Sequence, residues 1–239
     1  MYNKKISVIF PIFNEAKTIE KTLNEWILEL QKLTSSFEII LAEDGSKDNT
    51  KEVLHKLLEN DKNKIFVNNI RKEKRGYALA ILESFNLANG EYIFCVDSDG
   101  QCSPLDFSKF WEKIHENYYD IVIGYRQPRR DSYFRIIISK FFFILHRVLF
   151  YSKIKDPSCP YIIFKRNIIS KLYKDLHYMT EGFWWGFIGS ATKNELKIDQ
   201  IKINHRSRDV GTTNVFILKK IPLIAIKNII GLLKIRLIN

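Results

Sequence analysis

The chain has 239 residues, enough for one large domain or two small ones, with 46% hydrophobic and 27% charged residues. This balance is typical of a globular protein and excludes a disordered tail, a collagen-like fibre and a disulfide-stapled miniprotein. The three cysteines have neither zinc-ligand spacing nor an even number, which predicts a reducing, cytoplasmic setting. The apolar run at 6–13 is too short for the core of a signal peptide.

The net charge of +11 is unevenly distributed along the chain. Residues 126–166 hold ten Lys and Arg against two Asp, and residues 202–239 hold eight against one. This segregation predicts a basic face that meets an anionic partner: phosphate groups, a lipid surface or nucleic acid. The alternative is a coding bias toward Lys, Ile and Asn in the source genome.

Hydrophobic periodicity divides the first half of the chain into alternating strands and helices. Residues 6–13 form a near-continuous β-branched and aromatic run, as in a parallel strand buried on both faces. Asn14 is expected to cap a helix over 15–33. Further strands are predicted at 37–42, 65–69 and 92–96, and further helices at 50–58 and 77–87. The alternation predicts an α/β fold with a mainly parallel sheet, whose ligands bind at the carboxyl ends of the strands.

The second half contains two apolar segments with a basic side. A strand is predicted at 121–124, followed by a strongly apolar helix over 133–151 and a second one from residue 222 onward. Neither segment reaches the roughly 18–20 uncharged residues of a membrane-spanning helix. Both are therefore predicted as amphipathic helices that lie in the plane of a membrane surface. For 133–151 the alternative is an amphipathic helix packed on its own core.

An acidic turn follows the fourth predicted strand. The strand places Asp97 at its carboxyl end, and Asp99, two residues on, points the same way. Two carboxylates, with the Gln101 amide nearby, are hard oxygen ligands that suit Mg²⁺ or Mn²⁺, with substrate phosphates completing the coordination. The alternative is an ordinary acidic turn.

This turn is the last of five motifs that occur in a fixed order. The others are VIFPIFNE at 8–15, EDGSKDNT at 43–50, KRGYALA at 74–80 and ANGEY at 88–92. Together they resemble the family 2 inverting glycosyltransferases, and within these the polyprenyl-phosphate sugar transferases similar to dolichyl-phosphate mannose synthase. The resemblance is good over 6–101, moderate over 121–166 and loose over 178–211.

The resemblance implies a Rossmann-like GT-A fold with a mainly parallel sheet, to which C-terminal amphipathic helices are added. It implies one catalytic domain made of three parts. These are a nucleotide-sugar-binding half at 1–125, an acceptor-binding half at 126–211 and a basic amphipathic tail at 212–239.

The same resemblance implies a set of donor-site residues. Asp44 would read the base, although a turn-forming role for it remains open. Phe13 would stack on the nucleoside without the hydroxyl of the usual Tyr, and Glu43 replaces the usual first Asp of the DDGS motif. The expected nucleotide-sugar-binding residues are Pro11, Phe13, Glu15, Asp44, Arg75, Gly76, Asp97 and Arg208, and the expected metal ligands are Asp97, Asp99 and Gln101.

Arginines near residue 126 match the position that faces the acceptor phosphate in the resembled enzymes. Arg126 ends the motif G-x-R, and Arg129, Arg130 and Arg135 extend the same basic group. Arginine suits a phosphate because its planar fork donates two parallel hydrogen bonds. The alternative, solvated loop charges, holds for one or two of them.

Thr180-Glu181-Gly182 resembles the TED motif of saccharide-extending transferases, in which the Asp is the general base. Gly182 stands at that position, so Glu181 would have to substitute, or else it merely caps a helix. General-base help is worth about 10²–10⁴ in rate for a hydroxyl acceptor, whereas a lipid phosphate is already ionised near neutral pH. The missing Asp therefore favours a phosphate acceptor. The expected catalytic residues are Asp99, Arg126 and Glu181.

The function expected from these residues is transfer of a hexose from a nucleotide-diphosphate sugar to a polyprenyl phosphate, dependent on Mg²⁺ or Mn²⁺. The enzyme would be cytoplasmic and peripheral at the inner face of the membrane. The main alternative is a transferase of the same fold that extends a surface polysaccharide or lipopolysaccharide. A sugar-nucleotide pyrophosphorylase is disfavoured because residues 11–17 contain no glycine. No nucleic-acid partner is expected, because aliphatic runs interrupt the basic residues.

Overall fold

A computed structural model describes residues 5–63, 65–116, 118–127, 133–206 and 221–238, with the side chains of 133–136 and 221 outside the description. The strands are β1 (Ile6–Ile12), β2 (Phe37–Glu43), β3 (Phe66–Ile70), β4 (Tyr92–Cys95), β5 (Ile121–Arg126), β6 (Ile162–Lys165) and β7 (Ile198–Ile203). The helices are α1 (Ile19–Leu33), α2 (Thr50–Glu59), α3 (Tyr77–Leu87), α4 (Phe107–His115), α5 (Tyr133–Phe150), α6 (Ile169–Leu176), α7 (Phe183–Lys193) and α8 (Ile221–Leu237).

The strands form one sheet in the order β3-β2-β1-β4-β6-β5-β7. The pairs made by β6 are antiparallel and the others are parallel, so β6 alone runs against the rest. The carboxyl ends of β1, β2, β4 and β5 therefore meet the start of β6 at one edge of the sheet. The predicted α/β fold with a mainly parallel sheet is confirmed.

The core lies on both faces of the central strands, because β1 and β4 consist entirely of buried residues. On one face, Trp26 of α1 contacts the ring of Phe94, with centroids 5.3 Å apart. On the other face, Phe85 of α3 contacts Phe164 at 5.5 Å, and Phe164 contacts Phe187 of α7 at 4.9 Å. Aromatic packing thus holds helices against both faces of the sheet.

Helices α5, α7 and α8 build a second, smaller apolar cluster. Trp185 of α7 is buried there with Phe142 and Phe150 of α5 and with Leu232 and Ile235 of α8. The outward faces of α5 and α8 leave large apolar side chains exposed. These are Ile137, Phe141, Ile144 and Val148 on α5, and Leu223, Ile226, Ile230, Leu233 and Leu237 on α8.

The two predicted amphipathic helices are therefore present, each with one packed and one exposed apolar side. Within the described ranges, no helix combines the length and the apolarity that crossing a bilayer requires. The division at residues 125 and 211 stays a prediction, and residues 207–220, which hold the second boundary, lie outside the described part.

The predicted helix cap at Asn14 is wrong. Helix α1 begins at Ile19, and Asn14 has a left-handed backbone with φ of 57°. Its side chain accepts a hydrogen bond from the Lys47 N–H at 2.8 Å, while its own N–H donates to Ser46 Oγ at 2.8 Å. Hydrogen bonds to the turn after β2 thus hold the residues that follow β1. The helix begins four residues later than predicted.

Candidate active site

The acidic turn after β4 lies at the carboxyl edge of the sheet and is tied down at two points. Gly100 adopts φ of 73°, and the N–H of Gln101 donates to Asp99 Oδ1 at 3.0 Å. Ser98 donates its hydroxyl to the carbonyl of Pro11 in β1 at 2.8 Å. The turn therefore presents Asp97 and Asp99 from a fixed backbone.

The two carboxylates repel each other. Burial, and then the negative charge of Asp99, raises the pKa of Asp97 to about 7, while Arg126 and the Tyr77 hydroxyl act in the opposite direction. Two carboxylates that repel each other in this way fit a divalent cation, because the cation neutralises both. No cluster of three or more His, Cys, Asp or Glu side chains suited to a metal occurs in the described residues. A cation held here would therefore take further ligands from water or from substrate oxygens.

The turn after β2 holds the loop that leads into α3. Glu43 is fully buried, and its carboxylate accepts hydrogen bonds from the N–H groups of Gly45 and Ser46. The Asp44 carboxylate accepts from the N–H groups of Arg75 at 2.7 Å and Gly76 at 3.0 Å. Glu43 thus shapes the turn and Asp44 clamps the loop, while base reading by Asp44 stays a prediction.

Gly76 needs its glycine for backbone conformation, since its φ is 108° and a Cβ would meet nothing within 4 Å. The expected binding of the nucleotide sugar by Arg75 also stays a prediction. Its exposed guanidinium pairs with Glu83 at 2.9 Å. The loop therefore leaves open space beside Gly76, while the backbone N–H groups of Arg75 and Gly76 are bonded to Asp44.

Of the expected nucleoside residues, Phe13 contacts this loop. The Phe13 ring is covered by the Lys74 ammonium, 3.6 Å from the ring centroid. Glu15 is buried and accepts a hydrogen bond from Thr18 Oγ1 at 2.8 Å, and Pro11 is buried within β1. The Phe13 ring thus holds a cation on its face, and stacking of a base on this ring stays a prediction.

A tyrosine and a tryptophan that the sequence analysis did not single out lie against the acidic turn. Trp184 Nε1 donates to the Tyr77 hydroxyl at 2.7 Å, and that hydroxyl lies 3.4 Å from Asp97 Oδ1. Burial, and then the charge of Asp97, raises the pKa of Tyr77 well above its usual range. Tyr77 stands directly after the loop glycine, within the KRGYALA motif, but nothing in the sequence pairs it with Trp184.

Arg126 is held at the same edge by residues that precede β6. Its guanidinium makes a two-pronged pair with Asp156, with Nε–Oδ2 at 2.8 Å and Nη2–Oδ1 at 2.9 Å, and donates to Ser158 Oγ at 2.8 Å. Both partners of the ion pair are buried. The positive charge of Arg126 lowers the pKa of Asp97, so the two groups act on one site.

The remaining expected acceptor residues are not described. Arg129 and Arg130 lie outside the described residues, as does the side chain of Arg135. Glu181 is half-buried immediately before α7, and Gly182 adopts φ of 55° against the side chain of Asn228. In the described part of the chain Glu181 shares no hydrogen bond with the acidic turn.

The segment after β7 pairs with the end of the acidic turn. The N–H of Arg206 donates to the carbonyl of Gln101 at 2.8 Å, and Gln101 Nε2 donates to the carbonyl of Arg206 at 3.2 Å. The Gln101 amide thus serves this pairing, and its role as a metal ligand stays a prediction. The chain then enters 207–220, so Arg208 lies outside the described residues.

Known proteins share this sequence pattern. The family model described as "Glycosyl transferase family 2" matches residues 7–173. Undecaprenyl-phosphate 4-deoxy-4-formamido-L-arabinose transferase of Photorhabdus laumondii is 28% identical over 220 residues, which cover 92% of this chain and 66% of that protein. The protein of the same name from Yersinia pestis is 25% identical, with 92% and 65% covered. The chain thus spans about two thirds of the length of these curated relatives.

Solved structures share the fold. Glucosyl-3-phosphoglycerate synthase from Mycobacterium tuberculosis, in complex with Mn²⁺ and UDP-glucose, superposes with a TM-score of 0.65 at 18% identity, covering 98% of this chain and 79% of that one. Its complex with UDP gives a TM-score of 0.68 at 17% identity, with 97% and 80% covered. These likenesses confirm the expected GT-A fold. The match of the family model over most of the chain, on the fold that the motifs imply, shows that this protein belongs to glycosyl transferase family 2.

Proposed function

We propose that the chain is a metal-dependent inverting glycosyltransferase that moves one sugar from a nucleotide-diphosphate sugar to a polyprenyl phosphate at a membrane surface. The observation that carries the proposal is the meeting of a carboxylate pair and a buried arginine at one sheet edge. Asp97 and Asp99 lie in the turn after β4, and Arg126 ends β5 two strands away. The carboxylate pair suits a metal ion and a diphosphate, and the arginine suits an acceptor phosphate.

On the donor side, Asp97 and Asp99 are the residues that would hold Mg²⁺ or Mn²⁺. Such a cation, when bound, neutralises negative charge that develops on a leaving diphosphate. Asp44 fixes the loop at Gly76, next to the Phe13 ring on which a base can stack. A glucosyl-3-phosphoglycerate synthase of the same fold is known with Mn²⁺ and UDP-glucose, which supports this assignment.

On the acceptor side, Arg126 is the residue that would bind the acceptor phosphate. Asp156 and Ser158 fix the direction of its guanidinium, so the positive charge does not need to be ordered when the acceptor arrives. An ionised phosphate oxygen attacks without a general base, which agrees with glycine at position 182. The relatives named for undecaprenyl phosphate support this acceptor class.

The outward faces of α5 and α8 would place the site beside its lipid. Both helices combine exposed apolar side chains with exposed basic ones, such as Lys140, Arg147, Lys227 and Lys234, and neither contains Asp or Glu. Apolar side chains and Lys or Arg on one face are the features that bind a helix in the plane of an anionic membrane. A peripheral position at the cytoplasmic face of the membrane is therefore part of the proposal.

The proposal is tested by incubating the protein with Mn²⁺, polyprenyl phosphate and a panel of labelled sugar nucleotides, and counting label extracted into organic solvent. We expect lipid-linked label from one donor, lost with EDTA and reduced at least about 100-fold in Asp99→Asn. Glu112→Gln, an exposed acid on α4, is the matched control and should keep full activity. Donor hydrolysis without lipid-linked label would contradict the proposal.

A second candidate is transfer to a saccharide hydroxyl, with Glu181 as the general base. It is favoured by one observation, that Glu181 lies three residues before Trp184, whose indole reaches Tyr77 beside the acidic turn. Under this alternative, Glu181→Gln lowers kcat by about 10²–10⁴. With a phosphate acceptor the same variant keeps its kcat, so one substitution separates the two candidates.

A further inference from the structure

Three residues from distant parts of the chain form a hydrogen-bonded series that ends on the acidic turn. Trp184 of α7 donates its indole N–H to the hydroxyl of Tyr77 of α3 at 2.7 Å. The same hydroxyl lies 3.4 Å from Oδ1 of Asp97, at the end of β4. The series therefore joins a helix of the second half of the chain to the carboxylate pair of the first half.

The direction of the hydrogen bonds follows from the groups themselves. An indole N–H only donates, so the Tyr77 oxygen is the acceptor of the first bond. A hydroxyl has one proton, and with Trp184 on one side that proton is directed at the Asp97 carboxylate. At 3.4 Å the second contact is longer than an ordinary O–H···O bond, so its effect is to orient the carboxylate more than to bind it strongly.

Both ends of Tyr77 are fixed. Its backbone follows Gly76, whose N–H is bonded to the Asp44 carboxylate at 3.0 Å. Its hydroxyl is bonded to Trp184, which is 4% exposed and packs on Phe183 and Phe187 with ring centroids 5.1 and 5.5 Å apart. A side chain held at both ends presents its hydroxyl from one place, as a group that aims a metal ligand must.

We propose that Tyr77 is a positioning residue, which orients the Asp97 carboxylate toward a divalent cation, and that Trp184 positions Tyr77. The inference rests on the proposed function, because the cation belongs to that function. It adds two residues, Tyr77 and Trp184, to the surroundings of the metal ligands. Trp184 lies in the half of the chain assigned to the acceptor. Groups that orient a ligating carboxylate typically affect metal affinity 10- to 100-fold.

The test is the affinity for Mn²⁺ alone, measured from the electron paramagnetic resonance signal of free Mn²⁺ with no nucleotide present. Tyr77→Phe removes only the hydroxyl, and Trp184→Phe removes the indole N–H together with part of the ring. We expect each variant to bind Mn²⁺ about tenfold more weakly, because each contact is one hydrogen bond in the series. The double variant should be no weaker than Tyr77→Phe, since Trp184 acts through Tyr77.

Trp185→Phe is the matched control, because Trp185 lies on the same helix but packs in the cluster with α5 and α8. We expect this variant to keep its Mn²⁺ affinity, even where its melting temperature falls as far as that of Trp184→Phe. A purely structural role would lower the melting temperatures of all three single variants and leave the Mn²⁺ affinity of each unchanged, which would overturn the inference.

Asp99→Asn separates the failure of this inference from the failure of the proposed function. If Asp99→Asn loses Mn²⁺ and Tyr77→Phe and Trp184→Phe do not, the positioning role is wrong and the metal site stands. If the unsubstituted protein does not bind Mn²⁺, the metal dependence in the proposed function and the positioning role are wrong together. Additive losses in the double variant would overturn the serial arrangement.

Discussion

Two glycines close the turns on which the site depends, with nearly equal backbone angles. Gly45 has φ of 72° and Gly100 has φ of 73°, so alanine meets the same backbone strain at both. A Cβ on Gly45 would lie 2.3 Å from backbone atoms of Glu73 and Lys74, whereas one on Gly100 would have only Thr22 Oγ1 at 3.5 Å. Of these two glycines, therefore, only Gly45 is required for the close approach of two backbone segments.

We expect Gly45→Ala to lower the free energy of unfolding by about 2 kcal/mol more than Gly100→Ala, because overpacking adds to equal strain. Urea denaturation of the two variants beside the unsubstituted protein measures the difference. Equal losses in the free energy of unfolding would show that the turn after β2 rearranges without loss of stability. They would also show that the contact of this turn with the loop at 73–76 is weak.

The ion pair of Arg126 and Asp156 is buried, and each of the two charges compensates the other. Asp156→Ala leaves the arginine charge buried without its carboxylate, and we expect a loss of about 3 kcal/mol in the free energy of unfolding. Glu116→Ala removes a carboxylate from an exposed pair with Lys113 and should cost much less, because water screens that pair. Similar losses in both variants would mean that Arg126 reorganises toward solvent.

Sequence patterns predict that residues meet at one edge of the sheet when each residue follows its own strand. Asp97, Asp99 and Arg126 could be found this way, because a parallel sheet brings successive carboxyl ends to one edge. The partnerships of Arg126 with Asp156 and of Tyr77 with Trp184 join residues 30 and 107 positions apart. Such pairings depend on the strand order and on how helices lie across the sheet, which local patterns do not contain.

At the scale of the elements, the strongly periodic segments were predictable within a few residues. Helix α3 spans the predicted 77–87, and β1 ends one residue before the predicted end of its strand. The start of α1 at Ile19, instead of at the predicted residue 15, was not predictable, because Asn14 bonds to a turn more than 30 residues away. Helices α4 and α6 were not predicted, although with nine and eight residues they are only slightly shorter than the predicted α2.

A buried histidine gives the packing of α5 on α7 a dependence on pH. His146 is 1% exposed beside Trp185, and burial lowers its pKa from the usual 6.5 to about 4. Below pH 6.5 the unfolded chain therefore takes up a proton that the folded protein does not. The contribution to stability is full above pH 6.5 and is lost as the pH falls toward 4, by about 2–3 kcal/mol.

We expect His146→Gln to flatten the decline of the free energy of unfolding between pH 6.5 and 4. Urea denaturation at several pH values measures the two slopes, and the difference between them isolates His146 from the other groups that titrate. Parallel slopes would contradict a neutral, buried histidine at this position.

At the scale of the whole molecule, the two amphipathic helices give the protein one exposed apolar and basic surface. Phe141 and Ile144 on α5 are 56% and 61% exposed, comparable with Leu28 and Leu105 elsewhere at 62% and 64%. Only the first pair lies on a helix without acidic residues and with Lys140 and Arg147. The surroundings, rather than the exposure of single side chains, therefore define the proposed membrane surface.

We expect the double variant Phe141→Ser and Ile144→Ser to bind anionic vesicles at least about tenfold more weakly than the unsubstituted protein, because two apolar side chains no longer leave water. Leu28→Ser with Leu105→Ser is the matched control and should bind unchanged. Cosedimentation at low and high salt measures the apolar and the electrostatic contributions to binding. Equal binding by both double variants would place the membrane contact elsewhere.

The most direct test of the central claim, sugar transfer to a lipid phosphate, is the mass of the lipid after reaction. Polyprenyl phosphate incubated with the protein, Mn²⁺ and the accepted sugar nucleotide should gain the mass of one sugar residue, and fragmentation should release that sugar with its phosphate. Asp99→Asn should leave the lipid mass unchanged. An unchanged lipid with the unsubstituted protein, together with the sugar attached to an added saccharide, would contradict the account.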